Sequence, residues 1–201
     1  MGEQGSALDP KRTALLVMDF QQGVLQRMPG LEPLLARVQG AIANMQDHGG
    51  TIGYVRVAFT DEDWAAIPPA NQIFARAAQN RMMHHEDPST AIHDSLGPQP
   101  GDIVVRKTRV GAMSTTDLDR QLRDRGIDTL VLAGISTSGV VLSTLIEAAD
   151  RDYRLYVLSD GTEDPDEQAR DVLLGRIFPR RAQVIDTATL RGPAVAVDSR
   201  P

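Results

Sequence analysis

The sequence predicts an α/β protein with a three-layer α/β/α Rossmann-like fold, in which helices cover a six-stranded parallel sheet. Short apolar runs alternate with segments of helical periodicity along the whole chain. The runs are apolar at successive positions, which is typical of strands buried on both faces of a parallel sheet. A chain of 201 residues is also long enough to bury a core of its own as a single domain, 1–201.

The first predicted unit is a strand, a helix and a second strand. Residues 13–20 (TALLVMDF) are almost continuously apolar and contain Asp19 near their end. Residues 31–48 carry apolar side chains at helical spacing, with a proline in the first turn and two glycines after the last, where these residues are favoured. Residues 51–59 (TIGYVRVAF) are the second predicted strand.

A long irregular segment, residues 60–101, follows the second strand. It contains several prolines and the only tryptophan, Trp64. A connection of this length is usually functional or carries short helices. Two interpretations of its large side chains stay open, since they suit a substrate pocket and equally a core or subunit interface; they are Trp64, Phe74, Met82 and Met83.

The second half of the chain continues the alternation. Gly126 is expected to end a helix, and a tail after Leu190 is expected to be loose or to reach a partner subunit, as residues 1–12 are expected to be loose. The predicted strands are 102–107, 129–136, 153–160 and 182–185, and the predicted helices are 115–125, 139–152 and 165–177.

Composition narrows the class of function. The 21 Lys and Arg residues against 27 Asp and Glu residues give a net charge of −6, which argues against general binding to nucleic acids or anionic membranes. No stretch reaches the roughly 18 apolar residues of a membrane helix, and the N-terminus lacks the apolar core of a signal peptide, so a cytoplasmic protein is expected. The chain has no cysteine, which excludes disulfides, thiolate metal sites and a cysteine nucleophile.

No cofactor is expected, since the chain has neither a GxGxxG motif nor a Walker A loop. Metal is not expected either. His84 and His85 are adjacent, so on a helix they would point about 100° apart, and the histidines match no ligand spacing such as HExxH.

Three features stand at the predicted carboxyl ends of strands, where open parallel sheets bind ligands. Asp19 closes the first strand, Lys107 closes the third, and the turn 136–139 follows the fourth. Each also has a plainer interpretation: Asp19 as a turn residue, Lys107 as a solvated side chain, and the turn as a helix cap.

Three stretches resemble the isochorismatase-like hydrolase superfamily, also called the cysteine-hydrolase family. They are ALLVMDFQ (14–21), PGDIVVRKTRVGAM (100–113) and TDLDRQLRDRGIDTLVLAGISTSGVVLSTLIEAADRDYRLYVLSDG (116–161), within a resemblance that covers 13–185. It implies a six-stranded parallel sheet with helices on both sides, assembly as a homodimer or homotetramer, and hydrolysis of a small-molecule substrate.

The resemblance also implies a site. The family triad is Asp, Lys and Cys; the Asp carries over onto Asp19 and the Lys onto Lys107, but the cysteine position falls on Val140. Valine cannot attack a carbonyl group, so the acyl-enzyme route is absent. The family oxyanion hole, made of backbone N–H groups, maps onto Ser136, after a cis peptide Ile135-Ser136, and onto Val140.

Other site residues implied in this way are Gln21, Thr137, Ser138 and Gly139. The zinc ligands of nicotinamidases have no counterpart, because residues 56–64 (RVAFTDEDW) contain no histidine.

Three functions remain open. In the first, a hydrolase works without a thiol, as isochorismatases do when an Asp protonates an enol ether; burial near Val17 and Phe20 would raise the pKa of Asp19, and Lys107 would lower it. In the second, the hydroxyl of Ser138 or Thr137 replaces the thiol. In the third, the chain is an inactive family member that binds a small molecule or another protein.

A carboxylate group of the substrate would need a cationic side chain to bind it. Four of them are candidates on sequence alone: Arg56, Arg76, Arg81 and Arg109.

Overall fold

The computed structural model describes residues 8–28 and 30–190. Six strands form one sheet in the order β3-β2-β1-β4-β5-β6, and every neighbouring pair is parallel. This confirms the predicted fold class. The strands are β1 Thr13–Met18, β2 Thr51–Val57, β3 Ile103–Lys107, β4 Thr129–Ile135, β5 Arg154–Glu163 and β6 Gln183–Ile185.

Helices cover both faces of the sheet. In β1, Ala14, Leu16 and Met18 share a core with helices on one face, whereas Leu15 and Val17 pack with a helix on the other. Successive strand side chains point to opposite faces, so a strand that is apolar throughout requires two covering layers. The helices are α1 Gln22–Leu25, α2 Glu32–Asp47, α3 Asp61–Ala65, α4 Ala75–Gln79, α5 Leu118–Asp124, α6 Leu142–Ala149 and α7 Glu167–Val172.

The helices divide between the two cores. Helix α2 contributes Leu34 and Val38 to the core that contains Leu15. Helices α5 and α6 contribute Leu122 and Leu145 to the opposite core. No helix in the described ranges is long and apolar enough to cross a membrane.

Several element ends differ from the prediction. Strand β1 stops at Met18 because Asp19 adopts a φ of 59°, a left-handed conformation that cannot continue a strand. Helix α5 begins at Leu118, since the hydroxyl of Thr116 donates to the Ala112 carbonyl and accepts from the Leu118 N–H. Strand β5 runs to Glu163 instead of residue 160, through a register shift against β4.

Two predicted helices are interrupted. The helix predicted at 139–152 begins as a π-helical turn, Thr137–Val141, and continues as α6. The helix predicted at 165–177 comprises α7 and a second π-helical turn, Leu173–Ile177. Helix α1 was not expected at all, because four residues are too short to show a period.

Of the segment 1–12 that was expected to be loose, residues 1–7 lie outside the described residues, and residues 8–12 contain a short turn. Residues Pro10–Arg12 form a 3₁₀ turn in which the Asp9 side chain accepts the Lys11 N–H. Arg12 pairs with Asp128 at 2.5 Å. The tail predicted after Leu190 lies outside the described residues.

The long connection 60–101 carries α3, α4 and two 3₁₀ turns, as its length suggested. Trp64, Phe74 and Met83 pack with Phe59 in a small third core, which supports the core interpretation for these three side chains. Met82 is 38% exposed.

Candidate active site

Asp19 and Lys107 form a buried ion pair at the carboxyl edge of the sheet. Asp19 follows β1 and Lys107 ends β3, with only β2 between them, and the Lys107 Nζ lies 2.8 Å from the Asp19 Oδ2. Asp19 is 6% exposed and Lys107 is 1% exposed. The structure thus brings together the two strand-end residues that the sequence singled out.

The backbone fixes both partners. The Asp19 N–H donates to the Val55 carbonyl of β2 at 2.8 Å, and the Asp19 carbonyl accepts the Gln21 N–H at 2.8 Å. The Lys107 ammonium also donates to the Val110 carbonyl at 2.6 Å. These bonds hold the carboxyl group and the ammonium in one geometry without help from a substrate.

Two opposing effects act on the pKa of Asp19. Burial raises it, because the charged form is poorly solvated, while the charge of Lys107 and its hydrogen bond lower it; burial is the larger effect, so the pKa is raised. Only one carboxyl oxygen is engaged: the Asp19 Oδ1 is buried and has no hydrogen-bond partner among the described residues. That oxygen is therefore the one available to carry or accept a proton.

Residues 136–141 lie beside this pair as a tight turn after β4. The peptide Ile135-Ser136 is cis, as expected. The Ser136 carbonyl accepts the N–H groups of Gly139 at 3.3 Å and of Val141 at 3.2 Å. Within residues 8–28 and 30–190, the N–H of Val140 has no acceptor outside the turn itself.

Val140 is the residue onto which the resemblance maps the family cysteine. Its side chain is 2% exposed and packs in the same core as Val141 and Leu145. A Cβ at Gly139 would lie 2.7 Å from the Ser136 Oγ, so a side chain at this position would require the Ser136 hydroxyl to move.

The two hydroxyl groups of the turn differ in surroundings. Thr137 is fully buried and its hydroxyl lies 2.7 Å from that of Thr162, which itself donates to the Gly134 carbonyl. The Thr137 hydroxyl therefore donates to Thr162 and supports the turn. Ser138 is exposed, and its N–H donates to the buried carboxylate of Asp164 at 2.7 Å.

The side chain of Gln21 is buried and hydrogen-bonded to the backbone of two elements. Its Nε2 donates to the carbonyls of Val57 (2.9 Å) and Thr90 (2.7 Å), and its Oε1 accepts the Val57 N–H at 2.9 Å. Both N–H groups of the side-chain amide are used. Gln21 thus links β2 to the connection 60–101, and its contact with a substrate stays a prediction.

Several contributors were missed by sequence reasoning. Thr144 and Glu147 of α6 accept the N–H groups of Ala112 and Met113 and so fix the loop after Lys107. Asp164 holds the turn from the end of β5. The signal for Asp164 was the acidic stretch after residue 159, but its role depends on the unforeseen extension of β5.

Three of the four arginines proposed to bind a substrate carboxylate already bond to other groups of the protein. Arg56 donates to the carbonyls of His85 and Thr90, Arg81 pairs with Asp61 at 2.6 Å, and Arg109 donates to the neighbouring Thr108 carbonyl. Arg76 is exposed on α4.

A cavity of ≈ 290 Å³ opens against the turn. Arg27, which sequence reasoning had not considered, lines this cavity together with Ser136. Its lining is Val24, Arg27, Met28, Ile135, Ser136 and Pro165.

One group of side chains has the composition of a metal site. The ligand atoms of His84, His85 and Glu86 lie within 4.8 Å of one another. The two imidazole ring centroids lie 4.6 Å apart with the rings tilted by 53°, and the His84 ring also lies 5.4 Å from the Trp64 ring. The absence of a metal stays a prediction.

Comparisons with known proteins place the chain among hydrolases of related sequence. The model of the isochorismatase domain matches residues 13–189. An uncharacterized isochorismatase family protein of Bacillus subtilis, YwoC, is 32% identical over 173 residues, which cover 86% of this chain and 89% of that protein. The ureidoacrylate amidohydrolase RutB of Methylobacterium radiotolerans is 33% identical over 177 residues, which cover 78% of this chain and 69% of that protein.

Solved structures agree on the fold. A cysteine hydrolase from Pseudomonas syringae pv. phaseolicola superposes with a TM-score of 0.82 at 22% identity and covers 92% of each chain.

Proposed function

The chain belongs to the isochorismatase family, and from this premise we propose that it is a hydrolase of a small molecule that works without a cysteine nucleophile. The observation that carries the proposal is the buried Asp19–Lys107 ion pair. Removing two charges from water costs several kcal/mol per ion. A chain with no chemistry to perform has no reason to retain such a pair at the edge of the sheet where ligands bind.

Asp19 acts as a general acid in the reaction that fits this geometry best, hydrolysis of an enol ether. The proton moves from the Asp19 Oδ1 to the vinyl carbon, and the resulting oxocarbenium ion takes up water. The adduct separates into a carbonyl compound and an alcohol, and the proton released from water returns to Asp19. Lys107 stabilises the carboxylate that forms in between, and a raised pKa keeps the acid form available.

Hydrolysis of a C–N or ester bond is the second candidate. A relative that is 33% identical is named an amidohydrolase, and the backbone N–H groups of Val140 and Ser136, to which the resemblance assigns the oxyanion hole, would bind the oxyanion. Water would then attack the carbonyl carbon directly, with the Asp19 carboxylate accepting its proton. The two candidates need opposite protonation states of Asp19.

The alternative is an inactive family member that binds a small molecule or another protein. Val140 favours it, because a buried isopropyl group replaces the family nucleophile. A hydroxyl substitute finds less support, since the Thr137 hydroxyl is buried and bonded to Thr162.

A mass-resolved substrate screen tests the proposal. The purified protein is incubated with isochorismate and other enol ethers, ureides, nicotinamide, and simple amides and esters, beside Asp19→Asn as a folded control. Enol ether turnover that is lost in Asp19→Asn is the expected result. Amide or ester turnover lost in the same variant would favour the second candidate.

Turnover that survives Asp19→Asn would contradict the role of Asp19. A ligand that binds without being converted, alongside silence across the panel, would favour the binding protein.

The remaining proposals concern assembly, location and ligands. We propose a cytoplasmic homodimer or homotetramer that needs neither a cofactor nor a metal and does not bind nucleic acid; the oligomeric state follows from the resemblance and the other properties from composition and motifs. Light scattering of the purified protein measures the oligomeric state, and metal analysis measures the metal content.

A further inference from the structure

We infer that Lys107 is itself a nucleophile, which forms an imine with a small ketone while Asp19 moves the protons. This activity goes beyond the proposed hydrolysis, in which Lys107 only stabilises a charge. The chain has two lysines, the buried Lys107 and the exposed Lys11. Among the described residues, Lys107 is therefore the one lysine that is withdrawn from water and held against an acid–base group.

The burial of Lys107 favours attack by its amine. The residue is 1% exposed, and loss of hydration is how proteins activate lysine for Schiff-base chemistry. The Lys107 Nζ lies 2.8 Å from the Asp19 Oδ2, so the carboxylate can take an ammonium proton directly. The product is an amine beside a carboxylic acid, a pair without buried charge. Burial is also the larger effect on the pKa of Asp19 and raises it, which favours this neutral pair.

The hydrogen bonds of Lys107 leave one position on its nitrogen free. An ammonium has three N–H groups. One is directed at Asp19, and another donates to the Val110 carbonyl at 2.6 Å. The third has no acceptor in the part of the chain that the structure describes. Once a proton has moved to Asp19, rotation about the Cε–Nζ bond turns the nitrogen lone pair to this third position, where a carbonyl carbon can approach.

The surroundings of the pair suit a small, uncharged ligand. The side chain of Asp19 is 9% exposed and that of Lys107 is 2% exposed, so solvent reaches the pair on the Asp19 side. Val140 offers no competing nucleophile, since its side chain is a buried isopropyl group. A neutral ketone brings no further charge into a site that is poorly solvated, so ketones fit this position better than keto acids.

The imine forms with these two residues alone. The Lys107 Nζ attacks the carbonyl carbon, the carbonyl oxygen takes the proton held by Asp19, and the nitrogen returns one of its own protons to the carboxylate. The C–O bond of the resulting carbinolamine then breaks, and the leaving hydroxyl takes that proton from Asp19 and departs as water. A protonated imine and an Asp19 carboxylate remain, and water reverses every step.

The imine makes the α-hydrogens of the ketone acidic. Its nitrogen takes up the electron pair when an α C–H bond breaks, and the Asp19 carboxylate accepts the proton. The Asp19 Oδ1 is available for this transfer, since it has no hydrogen-bond partner among the described residues. Because the proton on Asp19 exchanges with solvent, the protein should replace the α-hydrogens of a ketone with deuterium in heavy water.

Reductive trapping tests the imine directly. The protein is incubated with acetone and sodium cyanoborohydride, a hydride donor that reduces the imine to a stable isopropylamine. Proteolysis at acidic residues and mass spectrometry then locate the modified amine. Lys107 should be modified at least about tenfold faster than Lys11, because exposed ammonium groups stay hydrated and protonated near neutral pH. This comparison is made within the native protein and needs no variant.

Two variants at the pair test the role of each residue. Lys107→Arg keeps a positive charge beside Asp19 but forms no imine, and Asp19→Asn removes the acid–base group. Deuterium exchange of acetone, followed by NMR, should fall at least about 100-fold in both variants. Lys11→Arg is the matched control at an exposed position, and it should leave trapping at Lys107 and deuterium exchange unchanged.

Equal modification of Lys11 and Lys107, no adduct at Lys107, or deuterium exchange that survives in Lys107→Arg would each overturn the inference. Trapping and hydrolysis are separate measurements, so the two proposals fail separately. An adduct at Lys107 without hydrolysis of any substrate would leave the inference standing and contradict the hydrolase. Hydrolysis without an adduct would do the reverse.

Discussion

Asp19 shows how one residue combines a backbone conformation with an electrostatic role. Its left-handed φ of 59° ends β1 and turns the side chain to Lys107. Asp is among the residues that tolerate this conformation. A glycine would adopt the same left-handed φ but could not carry the proton, so this position needs a residue that tolerates the conformation and also has a carboxyl group.

The pH dependence of turnover should report the Asp19 carboxyl. Because burial raises its pKa, the acid form persists above the ordinary Asp range, and kcat/KM for an enol ether should fall as pH rises through that raised pKa. The measurement is kcat/KM from pH 4 to 9 in buffers of constant ionic strength. A flat profile between pH 5 and 9 would contradict the general-acid role.

Val140→Cys should restore a reactive thiol at the family position. By the resemblance, a thiol at this position is placed for activation by the Asp19 carboxylate. Since the chain has no other cysteine, labelling by iodoacetamide followed by mass spectrometry is unambiguous. We expect stoichiometric labelling, and a loss of stability of about 1 kcal/mol from the smaller side chain.

Val141→Cys is the matched control, because Val141 is adjacent to Val140 and is buried in the same core. It should react much more slowly. Equal labelling rates for the two thiols would show that position 140 has no special environment.

Buried side chains connect elements of this protein that lie far apart in sequence. Gln21 makes three hydrogen bonds that connect β2 to the turn at Thr90. Thr144 and Glu147 connect α6 to the loop after β3. These links explain how an irregular connection of this length holds its shape at the edge of the sheet.

Gln21→Ala should therefore destabilise the protein. The substitution removes the side-chain partners of the buried Val57 N–H and carbonyl and leaves the Thr90 carbonyl with only its bond from Arg56. A buried backbone group without a partner costs about 1–3 kcal/mol. Urea unfolding should show a loss of about 2 kcal/mol or more. Gln26→Ala, at an exposed position a few residues away, should be within about 0.5 kcal/mol of the native protein; equal losses in the two variants would contradict the role of Gln21.

The sequence predicted elements where a period or a strand end carries the signal. The apolar runs predicted all six strands, and Asp19 and Lys107, singled out at strand ends, are the two residues that the structure brings together as an ion pair. Helix α1 and the extension of β5 beyond residue 160 were missed because they depend on contacts with Ala91 and Gly134, which are far away in sequence. Arg27 and Asp164 were missed for the same reason.

At the scale of the whole molecule, the sheet combines an apolar interior with a buried ion pair at one edge. Its six parallel strands bury both faces in apolar side chains, yet the same sheet holds an ion pair at its carboxyl edge. Replacing a buried pair with apolar side chains is often neutral or stabilising by about 1–4 kcal/mol. Groups retained for activity commonly reduce stability in this way.

Removing only Lys107 should give a loss of stability that grows with pH. The ammonium is what lowers the pKa of Asp19, so in Lys107→Met the folded-state pKa rises further above that of the unfolded chain. An acid whose folded pKa is raised keeps its full stability below the unfolded pKa and loses it as pH rises through the folded value. The free energy of unfolding of Lys107→Met, relative to the native protein, should therefore be least reduced near pH 4 and most reduced near pH 8.

Asp19→Asn/Lys107→Met is the matched double variant, because it removes the titrating carboxyl as well. Its free energy of unfolding should lack this pH-dependent loss and should equal or exceed that of the native protein at pH 8. Urea unfolding of the three proteins at both pH values makes the comparison. A penalty in Lys107→Met that is the same at pH 4 and pH 8 would mean that Asp19 does not titrate in this range, and that the lysine contributes through packing of its alkyl chain alone.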